Sequence, residues 1–155
     1  NLRLKPQKEK QKMIGWTASL IIQVAFLSSF NSSYQKAFDQ AEKEGKPLLV
    51  LVGADWCPGC RTMKDEKIPE LERDGGLEQV VFATVNTDEK PELSKRLLRG
   101  NSIPQLVLFV HNGESWRRFQ LTGVHEPGSI RQFIRKQVAR ARAGSDESSE
   151  SDDGT

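Results

Sequence analysis

The chain has two cysteines in 155 residues, and they stand three apart in Cys57-Pro58-Gly59-Cys60. Thiols at that spacing on the first turn of a helix come close enough to bond to one another. A cysteine at a helix N-terminus has unpaired backbone N–H groups and the positive end of the helix dipole beside it, and both favour thiolate over thiol. Cys57 is therefore expected to be the nucleophile. Cys60, one turn further in, is expected to be the more buried of the two and to hold its proton until it attacks a mixed disulfide. Thiol–disulfide exchange needs that asymmetry. Two other uses of the pair stay open. A zinc half-site needs two further ligands, but there is no second cysteine pair, and His111 and His125 lie 14 apart rather than at close ligand spacing. A static disulfide would staple only four residues, a loop too short to gain much. The histidines, near a turn and in a late loop, read as surface residues rather than catalytic bases. No metal or cofactor is expected.

The residues around the pair have the periodicities of a rigid platform. Leu48-Leu-Val-Leu-Val52 is apolar without alternation, as in a central strand covered on both faces, and it ends just before the cysteine motif. That motif opens a helix expected to run to about Leu71. Upstream, Ser33 fits the N-cap of a helix carrying Tyr34, Ala37, Phe38 and Ala41 on one face, terminated by Gly45 and Pro47. Downstream, Val80–Val85 reads as a second central strand and Pro91–Leu98 as a helix. Gln105–Val110 and Trp116–Leu121 flank Asn112-Gly113, a strong hairpin-turn dipeptide. A last helix, Ser129 to about Arg142, buries Ile130, Phe133, Ile134 and Val138. This order predicts an α/β sheet with parallel crossovers first and an antiparallel hairpin last.

Composition sets the outer bounds. With 36% hydrophobic and 28% charged residues, one domain is expected, and a domain of this size needs no staple, which frees the cysteines for chemistry. A net charge of +2 with three tryptophans and seven phenylalanines excludes a disordered acidic chain, a collagen-like repeat and a strongly basic nucleic-acid binder. The charge is unevenly spread: residues 1–30 carry +4 and residues 144–155 carry −5, leaving +3 for the middle. The expected organisation is a basic and apolar signal or membrane-anchor segment over 1–30, a domain over 31–143 and a disordered acidic tail over 144–155. The apolar stretch Met13–Phe30 is borderline for a span of about 20 residues, since it contains Thr17, Ser19, Gln23, Ser28 and Ser29. It also lacks a clean small-x-small cleavage site, and Ser19–Phe26 could instead be the first strand of the domain. The tail has no apolar side chain; it either screens the basic helix of Arg131, Arg135, Lys136, Arg140 and Arg142 or serves only to solubilise.

With the pair placed after a buried strand, residues 31–142 resemble the thioredoxin-fold family. Gly45-Lys-Pro-Leu-Leu-Val-Leu-Val-Gly-Ala-Asp-Trp-Cys-Pro-Gly-Cys60 is similar to the family's strand and active-site turn, and Asn101-Ser-Ile-Pro-Gln-Leu-Val-Leu-Phe109 to the loop holding its cis-proline. Asn112-Gly113 and Thr122-Gly123 fall where the family has its hairpin turn and groove-lining glycine. The resemblance implies an α/β thioredoxin fold: a central mixed β-sheet flanked by helices, with a C-terminal antiparallel hairpin and helix. It implies a cis bond before Pro104, which would turn the Ile103 backbone outward beside Cys57 so that an extended substrate segment can add there like a strand. Cys57 and Cys60 would be catalytic, and Trp56, Pro58, Gly59, Ile103, Pro104, Thr122 and Gly123 would form the substrate groove; a trans Pro104 and a merely packing Trp56 stay open. Departures also count. The family's buried Asp and its Lys partner fall on Leu51 and Thr84, so no general base for Cys60 comes from those positions. Its helix-kinking proline falls on Asp65, so that helix is expected to be straighter.

Ala54-Asp-Trp-Cys57 followed by Arg61-Thr-Met-Lys-Asp-Glu66 resembles the thioredoxin-like domains of membrane-linked bacterial thiol-disulfide interchange proteins. The activity so implied is a thiol-disulfide oxidoreductase that reduces or exchanges protein disulfides. Pro58-Gly59 puts no histidine or charge between the cysteines, which favours a reductant over an oxidase or isomerase. The implied partners are protein disulfides and a thiol electron donor, with no nucleic acid, a possible membrane tether through the N-terminus, and a monomeric state. An extracytoplasmic site is expected, periplasmic or anchored facing the periplasm, with the cytoplasm as the alternative. A binding module that uses the groove without redox turnover is the alternative of a different class.

Overall fold

The computed structural model describes residues 33–146. The expected signal, anchor or first strand within residues 1–30 lies outside the described residues, as does the acidic stretch 147–155. Helix α1, Ser33–Glu44, turns Ala37 and Ala41 inward, with Tyr34 and Phe38 packed alongside. It ends at Gly45, whose φ of 63° lies in the left-handed region, and the Lys46 N–H closes back onto the Ala41 carbonyl at 3.0 Å. Strand β1 then runs Leu48–Gly53. Its side chains alternate between two cores: Leu49 and Leu51 enter one, Leu48, Val50 and Val52 the other. Both faces being covered, the strand reads as an unbroken apolar run.

The remaining elements are α2 (Pro58–Arg61), a π-helical segment (Thr62–Lys67), α3 (Ile68–Arg73), β2 (Val81–Asn86), α4 (Pro91–Leu97), β3 (Gln105–His111), β4 (Trp116–Thr122) and α5 (Pro127–Asp146). Among the described residues four strands form one mixed sheet in the order β2-β1-β3-β4. One core holds Met63, Ile68 and Leu71 of the cysteine helix and Ile130 and Ile134 of α5 against Leu106 and Leu108. The other holds α1 and Leu97 of α4 against Val81, Ala83, Val85 and Val107. Among the described residues no helix is long and apolar enough to cross a membrane.

Three expectations are corrected. Among the described residues only the β1–β2 connection is a parallel crossover; β3 lies antiparallel to β1. The seven residues of α4 rise only about 10 Å, whereas a six-residue strand such as β2 covers about 20 Å, so the helix does not carry the chain back down the sheet before β3 begins. The helix after the cysteines is not a plain α-helix either. The Ile68 N–H bonds to the Met63 carbonyl, five residues back, and the π segment spans Asp65. Pro69 supplies the reason: it has no N–H for the carbonyl four residues before it and its ring crowds that carbonyl, so the widened turn precedes it. Finally, α5 runs from Pro127 to Asp146, so Gly144, Ser145 and Asp146, assigned to the acidic tail, are helical.

Leu108 is fully buried at the centre of the sheet. Leu108→Ala is expected to cost about 2–5 kcal/mol through lost burial and the cavity left behind, read as a lower urea midpoint at unchanged slope.

Candidate active site

The chain leaves the core at Gly53 and turns through Ala54, Asp55 and Trp56 into the cysteine motif. Cys57 is the N-cap of α2, with extended φ −84° and ψ 117°, and Pro58 occupies the first turn, where its missing N–H costs nothing. Cys57 and Cys60 form a disulfide with their Cα atoms 5.2 Å apart. The Cys60 backbone N–H donates to Cys57 Sγ at 3.3 Å. The expected difference in burial is absent: Cys57 is 6% exposed and Cys60 5%. In the closed disulfide each sulfur covers the other, and what separates the two is what they face. Cys57 Sγ lies 3.9 Å from the Ile103 carbonyl oxygen. Cys60 Sγ sits against the end of β1, so close that a Cβ at Gly53 would fall 2.8 Å from it.

The residues expected around the thiols arrive from three segments. The Ile103–Pro104 peptide bond is cis. Pro104 is buried, and its carbonyl accepts the Gly123 N–H at 2.8 Å, which ties the two loops together. Gly123 has φ 98°, a conformation open to glycine at no steric cost. A Cβ at Gly59 would lie 3.1 Å from Val124 Cγ2 and 3.4 Å from Pro104 Cδ, so all three residues meet beside the disulfide. Pro58 and Thr122 are exposed and Ile103 is half-buried. Trp56 is 68% exposed, and its Nε1–H donates to Asp88 Oδ2 at 3.0 Å, which fixes the ring over the loop after β2. Val124, 45% exposed, was missed by the sequence reading although it directly follows Thr122-Gly123. Asp88 carried no local signal at all, since its partner is 32 residues away.

The loop that follows Thr122, Gly123 to Glu126, is fastened to the cysteine helix. The His125 backbone N–H donates to Met63 Sδ at 3.4 Å, and Lys67 Nζ meets Glu126 Oε2 at 2.8 Å. The Glu126 hydrogen bond stabilises the charged form of Lys67 and raises its pKa above the ordinary lysine value. On the other side, a cleft of about 160 Å³ reaches Cys60 between Leu51, Gly53 and Thr84. Leu51 and Thr84 present no ionisable group there. At the rim, the Asp55 carboxylate accepts from Asn86 Nδ2 at 3.0 Å and pairs with Lys64 Nζ at 3.5 Å. The cleft is large enough to hold several waters.

Residues 34–137 match the family described as the thioredoxin-like domain. A thioredoxin of Rickettsia bellii is 36% identical over 106 residues, which cover 66% of this chain and 93% of that protein. Spermatogenesis-associated protein 20 of Rattus norvegicus is 32% identical over 93 residues, 58% of this chain but only 12% of the relative's length. In fold, the chain resembles the solution structure of a thioredoxin from Thermus thermophilus, with TM-score 0.61, 24% identity and coverage of 78% of this chain and 95% of that one.

The contact between Gly53 and Cys60 can be tested directly. Gly53→Ala is expected to destabilise the disulfide form by about 1–3 kcal/mol through overpacking, measured by denaturant unfolding. Unchanged stability would mean that the Cys60 sulfur moves aside freely.

Proposed function

Because the chain belongs to the family of thioredoxin-like domains, we propose that it is a thiol–disulfide oxidoreductase that reduces or exchanges protein disulfides through Cys57 and Cys60. The observation that carries this reading is the Cys57–Cys60 disulfide at the mouth of a helix, with Cys57 Sγ beside the Ile103 backbone.

In the reduced protein the Cys60 N–H favours a thiolate on Cys57, because a donor aimed at the sulfur stabilises the charged form. That thiolate attacks one sulfur of a substrate disulfide; a mixed disulfide forms and the first substrate thiolate leaves. Cys60 then gives up its proton, to water in the cleft or to the departing thiolate, and attacks Cys57 Sγ. The second substrate thiolate leaves, the Cys57–Cys60 disulfide closes, and two electrons have passed to the substrate. An external thiol donor returns the protein to the dithiol. The substrate lies as an extended segment along the Ile103 backbone, with Trp56 on one side and Gly123 and Val124 on the other. The basic and then apolar residues 1–30 support a site outside the cytoplasm, reached by export or held by a membrane tether.

Two measurements test this reading. Cys57→Ser is expected to abolish turnover of a protein disulfide and Cys60→Ser to accumulate mixed disulfides; normal turnover by either variant would overturn the assigned roles. A glutathione titration of the full chain, followed by thiol alkylation, is expected to show a reversible two-electron transition near about −270 mV, as for a reductant. A midpoint of about −120 to −180 mV would instead mark an oxidant or isomerase, and no reversible disulfide at any poise would leave a binding module.

A further inference from the structure

We infer that Gln105 is a positioning residue: its side-chain amide holds the Arg99–Ser102 loop in place and thereby sets the Ile103 backbone edge beside Cys57. The inference rests on the proposed thiol–disulfide activity.

Gln105 is the first residue of β3, and the residues after it, Leu106 to Leu108, are apolar and fully buried. It is itself 0% exposed. A buried amide costs stability unless it is hydrogen-bonded, so the identity of its partners shows what it is for. Nε2 donates to the Arg99 carbonyl at 2.9 Å and to the Ser102 carbonyl at 2.7 Å. Oε1 accepts the Arg99 N–H at 3.1 Å and Gln120 Nε2 at 2.8 Å. Both donor hydrogens and both acceptor directions are thus used. Three of the four bonds reach residues 99 and 102, in a stretch with no regular structure that turns through Gly100 at φ 72°.

The strand itself does not need these bonds. The Gln105 backbone is already in register with Val52 on one side and Thr122 on the other. An apolar side chain would suit β3 as well as its neighbours do, but it would leave three loop groups without a partner. The fourth bond extends the tie: Gln120 Oε1 accepts from Arg118 Nη2 at 3.1 Å, and the same nitrogen donates to the Leu97 carbonyl at the end of α4. The loop is therefore gripped from β3, β4 and α4 up to Ser102. The next residue is Ile103, whose carbonyl faces Cys57 Sγ, and the one after it is held by Gly123. Losing the grip frees the edge on which a peptide pairs while leaving the sulfurs where they are.

The test is Gln105→Leu in the full chain, a substitution close in volume. The KM for insulin as protein disulfide is expected to rise about tenfold with kcat little changed, on the scale of one or two net hydrogen bonds, while reduction of a small aromatic disulfide, which needs no strand pairing, stays at the wild-type rate. By NMR, exchange of the Arg99 amide is expected to accelerate at least about tenfold while the Val107 amide stays protected. Insulin and small-disulfide rates that fall together, or an unchanged KM, would overturn the inference. If Gln105→Leu does not fold, Gln120→Met removes one bond to the Gln105 oxygen from a half-buried site. A smaller KM rise for insulin alone is then expected, and none would overturn the inference. Should the wild-type chain reduce neither disulfide, the proposed activity falls, and Arg99 exchange in the variant still decides whether Gln105 holds the loop.

Discussion

β1 is buried on both faces between two cores, and the position of everything chemical follows from where that strand ends. Its side chains cannot shift by a residue without exchanging one core for the other, so its exit point is fixed. At the exit stands Gly53, and because it has no side chain the Cys60 sulfur packs directly on the strand end. The turn to Cys57 and the start of α2 follow within a few residues. The disulfide therefore inherits the rigidity of the most buried strand in the sheet, although it lies at the edge of the domain.

Rigidity on the other side of the disulfide has a different origin. Ile103, Pro104, Gly123 and Val124 belong to loops and Thr122 is the last residue of β4, and loops contribute little apolar burial of their own. They are held by polar ties instead: Gly123 N–H to the Pro104 carbonyl, His125 N–H to Met63 Sδ, Lys67 to Glu126, and the Gln105 amide to Arg99 and Ser102. Such ties fix position more than they add stability, since each exchanges bonds to water for bonds within the protein, and the exposed ion pair adds least. Close backbone approach is what they achieve. At Gly59 only a hydrogen fits comfortably between the helix, Pro104 and Val124.

The surroundings of Cys60 contrast with those of Cys57. Cys57 faces the Ile103 backbone. Cys60 faces a cleft of about 160 Å³ whose wall carries Leu51 and Thr84, with the exposed charged groups Asp55, Arg61, Lys64 and Glu89 also lining it. The two sulfurs are equally buried, and what distinguishes them is these different neighbours and the single N–H that Cys60 donates to Cys57.

Much of this was legible in the amino-acid sequence because it depends on near neighbours. The Cys-x-x-Cys spacing, Pro58 at the helix start, the unbroken apolar run of β1, the Gly45 helix stop and the Asn112-Gly113 turn each express the conformational preference of a few adjacent residues. The resemblance to a known fold extended that reading to the cis bond at Pro104. One local feature was read incompletely: the absence of proline at position 65 suggested a straighter helix, and the π-helical segment that precedes Pro69 was not anticipated. The tertiary structure alone decided the rest. The antiparallel return of β3, the Trp56–Asp88 bond, the apposition of Val124 to Gly59, and the hold of Gln105 and Gln120 on the loop before Ile103 join residues on different strands and loops. A polar residue in an apolar strand shows in sequence only that its burial must be compensated; which groups compensate it depends on how the sheet brings separate segments together.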